Sequence, residues 1–200
     1  PSDLKGKTIA VTKGTMAEFY LWRYLTLNGM ERDSITILYL APDDVIKSVV
    51  TGESDAAIIW DPYASRIEQQ LGGNSTIWNA QIEQPYYWVT YTRTDVIRNR
   101  PEMIRKYLRA LNDAEMFLTS HPSEAKEITW RLLNKTDNNP DRFRKEYDFA
   151  LSLDQGLIVA LEDEARWMAA ENMTGGKTPP SYLNMIEQAP MREIKPTGVS

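Results

Sequence analysis

The sequence predicts an α/β protein: a three-layer lobe built on a mainly parallel sheet, followed by a helical C-terminal segment. Three observations lead there. Residues 8–28 read strand, glycine turn, helix, and the alternation of strand and helix continues to Gly72-Gly73. Strands alternating with helical patterns indicate βαβ units and hence a parallel sheet. Beyond residue 95 the pattern is helical with polar breaks.

Thr8 to Thr12 is an apolar strand that passes through Lys13-Gly14-Thr15 into a helix from about Met16 to Asn28. Met16, Phe19, Tyr20, Leu27 and the Leu21–Leu25 pair give that helix its three-and-four spacing. Gly29 closes it where positive φ is wanted. Ser34 to Leu40 alternates and reads as the second strand. Pro42 opens a helix whose first turn carries Asp43 and Asp44, favoured by the helix dipole, and Gly52 ends it. Ala56 to Trp60 is a continuous apolar run, as expected of a central parallel strand covered on both faces. Asp61 then reads as N-cap and Pro62 as the first residue of a helix running to Gly72-Gly73.

Thr76 to Trp78 is expected to form a short strand, and the aromatic, β-branched run Pro85 to Thr92 a longer one. Alternation would put Tyr86 and Trp88 on one face and Tyr87 on the other. Helices are expected over 95–135, divided at His121-Pro122, and then over 141–153 and 157–172. A short helix over Tyr182 to Gln188 leads into an extended tail. The organisation expected is a ligand-binding α/β lobe over 1–92 and a helical segment over 93–200.

Composition narrows the function classes. A net charge of −5 without a Lys/Arg cluster argues against a nucleic-acid partner. With no cysteine, thiol catalysis, disulfides and cysteine-held metal are excluded, and a single histidine precludes a multi-histidine metal site. No cofactor motif and no nucleophile elbow is present.

In open α/β sheets, ligands bind at the carboxyl ends of the strands, where helix N-termini point their N–H groups. Two turns meet that description. At the first, Gly14 and Thr15 either hold an acceptor group of a ligand or serve the turn alone. Thr15-x-x-Glu18 is a capping box in which Glu18 would reach back to the Thr15 N–H; alternatively Glu18 faces the cleft and pairs with a positive group. At the second turn, Asp61 either caps its helix or accepts a ligand hydrogen bond. Trp60 either fills the core or, as Tyr63 could, stacks on a planar ligand, and Tyr39 could extend the same aromatic wall. A carboxylate at Glu18 would repel an anion in a low-dielectric cleft. It therefore favours an amine, amide or heterocycle over sulfonate or nitrate. The carboxylate-rich run LEDEARW around Asp163 is most simply a solvated helix face.

The series DLKGKTIAV, then KGT at a helix start, then VVTGESDAAIIWDPYASR, with PMREIKPTGVS at the end, resembles the extracytoplasmic solute-binding proteins of nitrate, sulfonate, taurine and thiamine-precursor ABC importers. That resemblance implies a periplasmic-binding-protein-like fold of type II and capture of a small-molecule solute by hinge closure. It further implies a membrane permease as partner, a monomer, and a periplasmic or extracytoplasmic location, with no catalysis and no cofactor. In that family the run at 85–92 would serve as a hinge strand. Against the two-lobe pattern of the family, the chain is expected to begin at the second lobe and to lack the N-terminal part of lobe one. Two other classes use the same scaffold: ligand-sensing domains of signalling proteins, and a few biosynthetic enzymes.

Overall fold

The computed structural model describes residues 2–80, 84–132 and 148–200, and the chain divides into two compact units, Pro1–Gln84 and Pro85–Ser200.

The first unit is built on β1 (Thr8–Val11), β2 (Thr36–Tyr39) and β3 (Ala56–Ile58), paired in parallel in the order β2-β1-β3. Helix α1 (Met16–Leu27) covers one face, and α2 (Pro42–Thr51) with α3 (Tyr63–Leu71) covers the other. The alternation of β1 assigns the layers. Ile9 and Val11 pack with Ala17, Leu21 and Leu25 of α1, whereas Ala10 packs with Val45, Ile46 and Ile67. The central strand is thus β1, buried from Ile9 to Val11; the run Ala56 to Trp60, expected to be central, forms β3 only over Ala56–Ile58, which lies at the edge of the sheet among the described residues and is half-buried. A continuous apolar run marks burial on both faces but does not say how many neighbours pair with the strand.

Local chemistry sets the ends of these elements. Gly29 (φ 59°) follows α1, with its N–H on the Thr26 carbonyl and the Met30 N–H on the Leu25 carbonyl. This is a Schellman ending sealed by packing of Met30 in the same cluster as Leu25. Gly52 (φ 78°) ends α2. Ser48 and Ser54, both buried, then share a 2.9 Å hydrogen bond that lands the chain on β3. At the start of β3, Asp55 accepts the Thr8 N–H at 2.9 Å and the Lys7 ammonium at 3.1 Å, which fixes its register against β1. Those bonds, the Thr8 N–H foremost and Lys7 second, hold the Asp55 carboxyl below its ordinary range.

Several expected boundaries shift. Ser34 belongs to a 3-10 turn (Arg32–Ser34), so β2 starts at Thr36; β3 ends at Ile58, and Leu27 of α1 is exposed. Thr76 to Trp78 is not a strand.

The second unit contains α4 (Thr94–Asn99), α5 (Pro101–Ser120), α6 (Pro122–Leu132), α7 (Gln155–Ala170) and α8 (Ala189–Ile194). The break at His121-Pro122 separates α5 from α6 as expected. Pro85 to Thr92 is not a strand. Its residues favour extended backbone, but no ladder partner pairs with them among the described residues, and Trp88 and Tyr91 stay 80% and 91% exposed. Tyr86 and Trp88 do share a side, in edge contact at 5.8 Å, while the Tyr87 hydroxyl reaches Asp154.

Of the helix expected over 141–153, residues 141–147 lie outside the described residues; 148–153 is not helical and ends in a bridge from Leu153 to Val199. The Tyr182–Gln188 helix shrinks to a 3-10 turn, Tyr182–Met185. The tail is not extended: α8 lies against α5 and continues into a 3-10 turn, Pro196–Gly198. What holds it is specific. The Lys195 ammonium donates to both Glu115 oxygens at 2.6 Å and to the Leu151 carbonyl at 3.1 Å. The LEDEARW run is not wholly solvated either. Trp167 is buried, and Glu164 is half-buried, with its carboxyl raised by burial and then by Asp163.

Candidate functional site

The strand order β2-β1-β3 in the sheet means that the chain leaves β1 towards one side and returns on the other. The carboxyl ends of β1 and β3 flank that reversal, where open α/β sheets hold ligands. The turns carrying Gly14-Thr15 and Trp60-Asp61 both lie there, and Tyr39 ends β2 on the same edge. The fold therefore brings all seven sequence candidates to one edge of one sheet.

Glu18 is the centre of the first group. It is only 4% exposed although it lies in the first turn of α1. Its Oε2 accepts the Gly14 N–H at 2.6 Å, and its Oε1 accepts the Tyr39 hydroxyl at 2.5 Å. The capping box expected between Glu18 and Thr15 is displaced by one residue. The positive φ of Gly14 (70°) turns its own N–H onto the carboxylate. Thr15 remains the N-cap residue, but its hydroxyl donates to the Thr12 carbonyl at 2.7 Å and caps nothing.

Beyond Tyr39 stands Arg32, whose Nη2 donates to the tyrosine hydroxyl at 2.7 Å, and the Lys13 ammonium sits 5.3 Å from the centre of the tyrosine ring. Neither cation is among the candidates read from the sequence. Arg32 is seven positions from Tyr39, a spacing that carries no local signal, and only the Gly14-Thr15 turn drew attention beside Lys13. Arg32 and Tyr39 also line an open groove of about 450 Å³ along β2, with Glu31, Asp33, Ile35 and Ile37. The groove meets the candidate site at Tyr39 and at no other candidate residue.

In this group most protons point inward. A guanidinium can only donate, so the Tyr39 oxygen accepts from Arg32 and gives its one proton to Glu18. The Gly14 N–H is spent on Glu18 and the Thr15 proton on Thr12. What the oxygens of Glu18, Tyr39 and Thr15 offer a ligand is lone pairs, while the cations Arg32 and Lys13 beside Tyr39 can only donate. Among the hydroxyls here the exception is that of Thr12, whose oxygen is buried without a partner among the described residues.

The second group divides between support and surface. Asp61 Oδ1 accepts both the Ser65 N–H at 3.0 Å and the Ser65 hydroxyl at 2.8 Å. It thus satisfies the opening of α3, but Pro62 rather than Asp61 is the N-cap residue and Tyr63 rather than Pro62 starts the helix. The capping reach is four residues, one longer than the usual N-cap to N3 bond. Tyr63 packs on the core with Arg66 over its ring at 5.9 Å, and Arg66 pairs with Asp43 at 2.8 Å. Trp60, 40% exposed and edge-on to Tyr63 at 5.7 Å, is the aromatic surface this edge presents. Among the described residues no group of three metal-ligating side chains occurs, and no helix is long and apolar enough to cross a membrane.

A three-layer lobe on a parallel sheet defines the class: the fold is that of the periplasmic solute-binding proteins. It matches the structure of the periplasmic aliphatic sulphonate binding protein of Escherichia coli with a TM-score of 0.70 at 20% identity, over 94% of this chain and 64% of that one. The alkanesulfonate-binding protein of Xanthomonas axonopodis pv. citri, bound to MOPS, matches at 0.62 and 23% identity, over 86% and 60%. The family follows from the sequence match: residues 1–125 fit the NMT1/THI5-like model, and the chain belongs to that family. The taurine-binding periplasmic protein of E. coli K12 is 26% identical over 125 residues, 61% of this chain and 38% of its own length. A Brucella abortus protein is 27% identical over 138 residues, 66% of this chain and 42% of its own. The chain thus spans about two fifths of these relatives.

Proposed function

We propose that this chain is the solute-holding part of a periplasmic substrate-binding protein that serves an ABC-type importer, and that the solute end it recognises donates hydrogen bonds. An amine, an amide or a nitrogen heterocycle has that chemistry. The observation that carries the ligand class is the inward direction of the protons on Gly14, Thr15 and Tyr39 around the buried Glu18 carboxylate. A bare anion placed against Glu18 itself meets lone pairs and a negative charge, both unfavourable in a low-dielectric site, and the cations Arg32 and Lys13 stand beside Tyr39. Trp60 supplies the face for a planar part of the solute. Asp61 is the support of that wall and, in this reading, touches the solute as an acceptor.

The importer reading rests on family membership and on the names of the relatives. Capture by hinge closure, a membrane permease as partner and action without bond chemistry follow from it. Those names also support a second reading, a sulfonate ligand, and two structural features agree with it: the unpartnered Thr12 hydroxyl could donate to a sulfonate oxygen, and the cations Arg32 and Lys13 stand beside Tyr39. Taurine, with an ammonium at one end and a sulfonate at the other, satisfies both readings.

A thermal-shift panel of butylamine, an aminopyrimidine, taurine and butanesulfonate tests the function. Ligand at 100 times its dissociation constant adds about 2.7 kcal/mol. For a chain of this size that raises the midpoint by roughly 5–10 °C. A shift from the nitrogen compounds supports the proposal. No shift from any compound, or turnover of one of them, overturns it.

A further inference from the structure

We propose that Arg32, acting through the Tyr39 hydroxyl, is a positioning residue that sets the charge preference of the Glu18 side of the site; this deepens the solute-binding reading and rests on it. Two consecutive hydrogen bonds link Arg32 Nη2 to Tyr39 Oη and Tyr39 Oη to Glu18 Oε1, at 2.7 and 2.5 Å. Arg32 has no acceptor atom, so it fixes which way the Tyr39 proton points. It therefore keeps Tyr39 from donating to a solute and keeps Glu18 supplied with a donor. The guanidinium also lies within about 5 Å of a carboxylate oxygen, the sum of the two bonds, where opposite charges interact appreciably even in a wet setting. Glu18 is buried and Arg32 is exposed. Arg32 is therefore the member of this series that can change without opening the core.

The neighbouring charges define what its removal does. Lys13 sits over the Tyr39 ring, and Glu31 and Asp33 flank Arg32 in the groove along β2. With Arg32 present the carboxylates Glu18, Glu31 and Asp33 face two cations; without it they face one. The site then becomes more negative, so a cationic solute gains and an anionic one loses. A residue that only braced the fold would weaken both together.

The experiment measures dissociation constants of butylamine and butanesulfonate for the wild-type chain, Arg32→Gln and Arg32→Lys, at low and at high ionic strength. The expected result is a rise in the sulfonate-to-amine ratio of dissociation constants by roughly three- to tenfold in Arg32→Gln at low salt. That rise should shrink at high salt, and the wild-type ratio should return in Arg32→Lys. A ratio unchanged in Arg32→Gln, with both constants moving together, overturns the role of Arg32 while leaving the solute-binding reading intact. Absence of binding of either probe to the wild-type chain overturns the solute-binding reading, and this inference with it.

Discussion

Gly14 and Glu18 are joined by a 2.6 Å hydrogen bond in which the backbone N–H of the turn after β1 donates to the carboxylate of the helix that follows. The side chain thereby takes up the N–H of that turn, and Tyr39 donates to its other oxygen. Glu18→Ala removes the acceptor of two donors at once. The expected loss is about 3–6 kcal/mol in denaturant unfolding, because each of the two hydrogen bonds to a charged group contributes about 1.5–3 kcal/mol. The same variant should bind butanesulfonate more tightly than the wild type does. Weaker sulfonate binding in Glu18→Ala would remove Glu18 as the charge determinant.

Asp61 and Ser65 make a different prediction. Asp61 Oδ1 satisfies the Ser65 N–H at the start of α3, so Asp61→Ala should cost about 1 kcal/mol, the usual value of a lost cap. Ser65→Ala keeps the N–H bond and should cost less. If Asp61 also touches the solute, Asp61→Ala lowers affinity and Ser65→Ala does not. Equal loss of affinity in the two variants would confine Asp61 to the helix.

Acid sensitivity is expected from two carboxylates held below their ordinary range. For Asp55 the Thr8 N–H is the main cause, followed by Lys7. At Glu115 burial pushes the carboxyl up, but the Lys195 hydrogen bond and the Leu151 N–H outweigh it. A carboxyl with a depressed folded-state pKa contributes stability that is present above its unfolded value and is lost as pH falls through the folded one. Stability should therefore drop below about pH 4, and Asp55→Asn and Lys195→Met should each flatten that drop. A wild-type acid limb retained in both variants would contradict the assignment.

Gly198 tests the tail. A Cβ at this position would lie 2.8 Å from the Leu151 carbonyl oxygen and 2.7 Å from Met191 Cε. Met191 can move, but the Leu151 carbonyl is held by the Lys195 ammonium. Gly198→Ala should lower stability by about 1–3 kcal/mol, the range of overpacked sites. A neutral change in the denaturation midpoint would mean that the tail yields.

The first unit was legible because its signals are local. Glycines at positive φ, Pro42, and the apolar triplet Ile9 to Val11 each act within a few residues, and strand order aside, they place every strand and helix to residue 72. What stayed hidden depends on partners far along the chain. Ala56 to Ile58 is apolar in either a central or an edge position. Pro85 to Thr92 has the residues of a strand without a ladder. At the site, residue types flagged Glu18 and Tyr39 separately, but not that they share a proton, since they stand 21 residues apart. The displaced capping box turns on one φ angle at Gly14.

On the proposed reading, the turn around Glu18 selects for solutes that donate hydrogen bonds. Calorimetric titration of the chain with butylamine and butanesulfonate, matched in length and opposite in charge, tests it most directly. The account predicts tighter binding of the amine. Tighter binding of the sulfonate would contradict it and would assign the site to anions through the Thr12 hydroxyl.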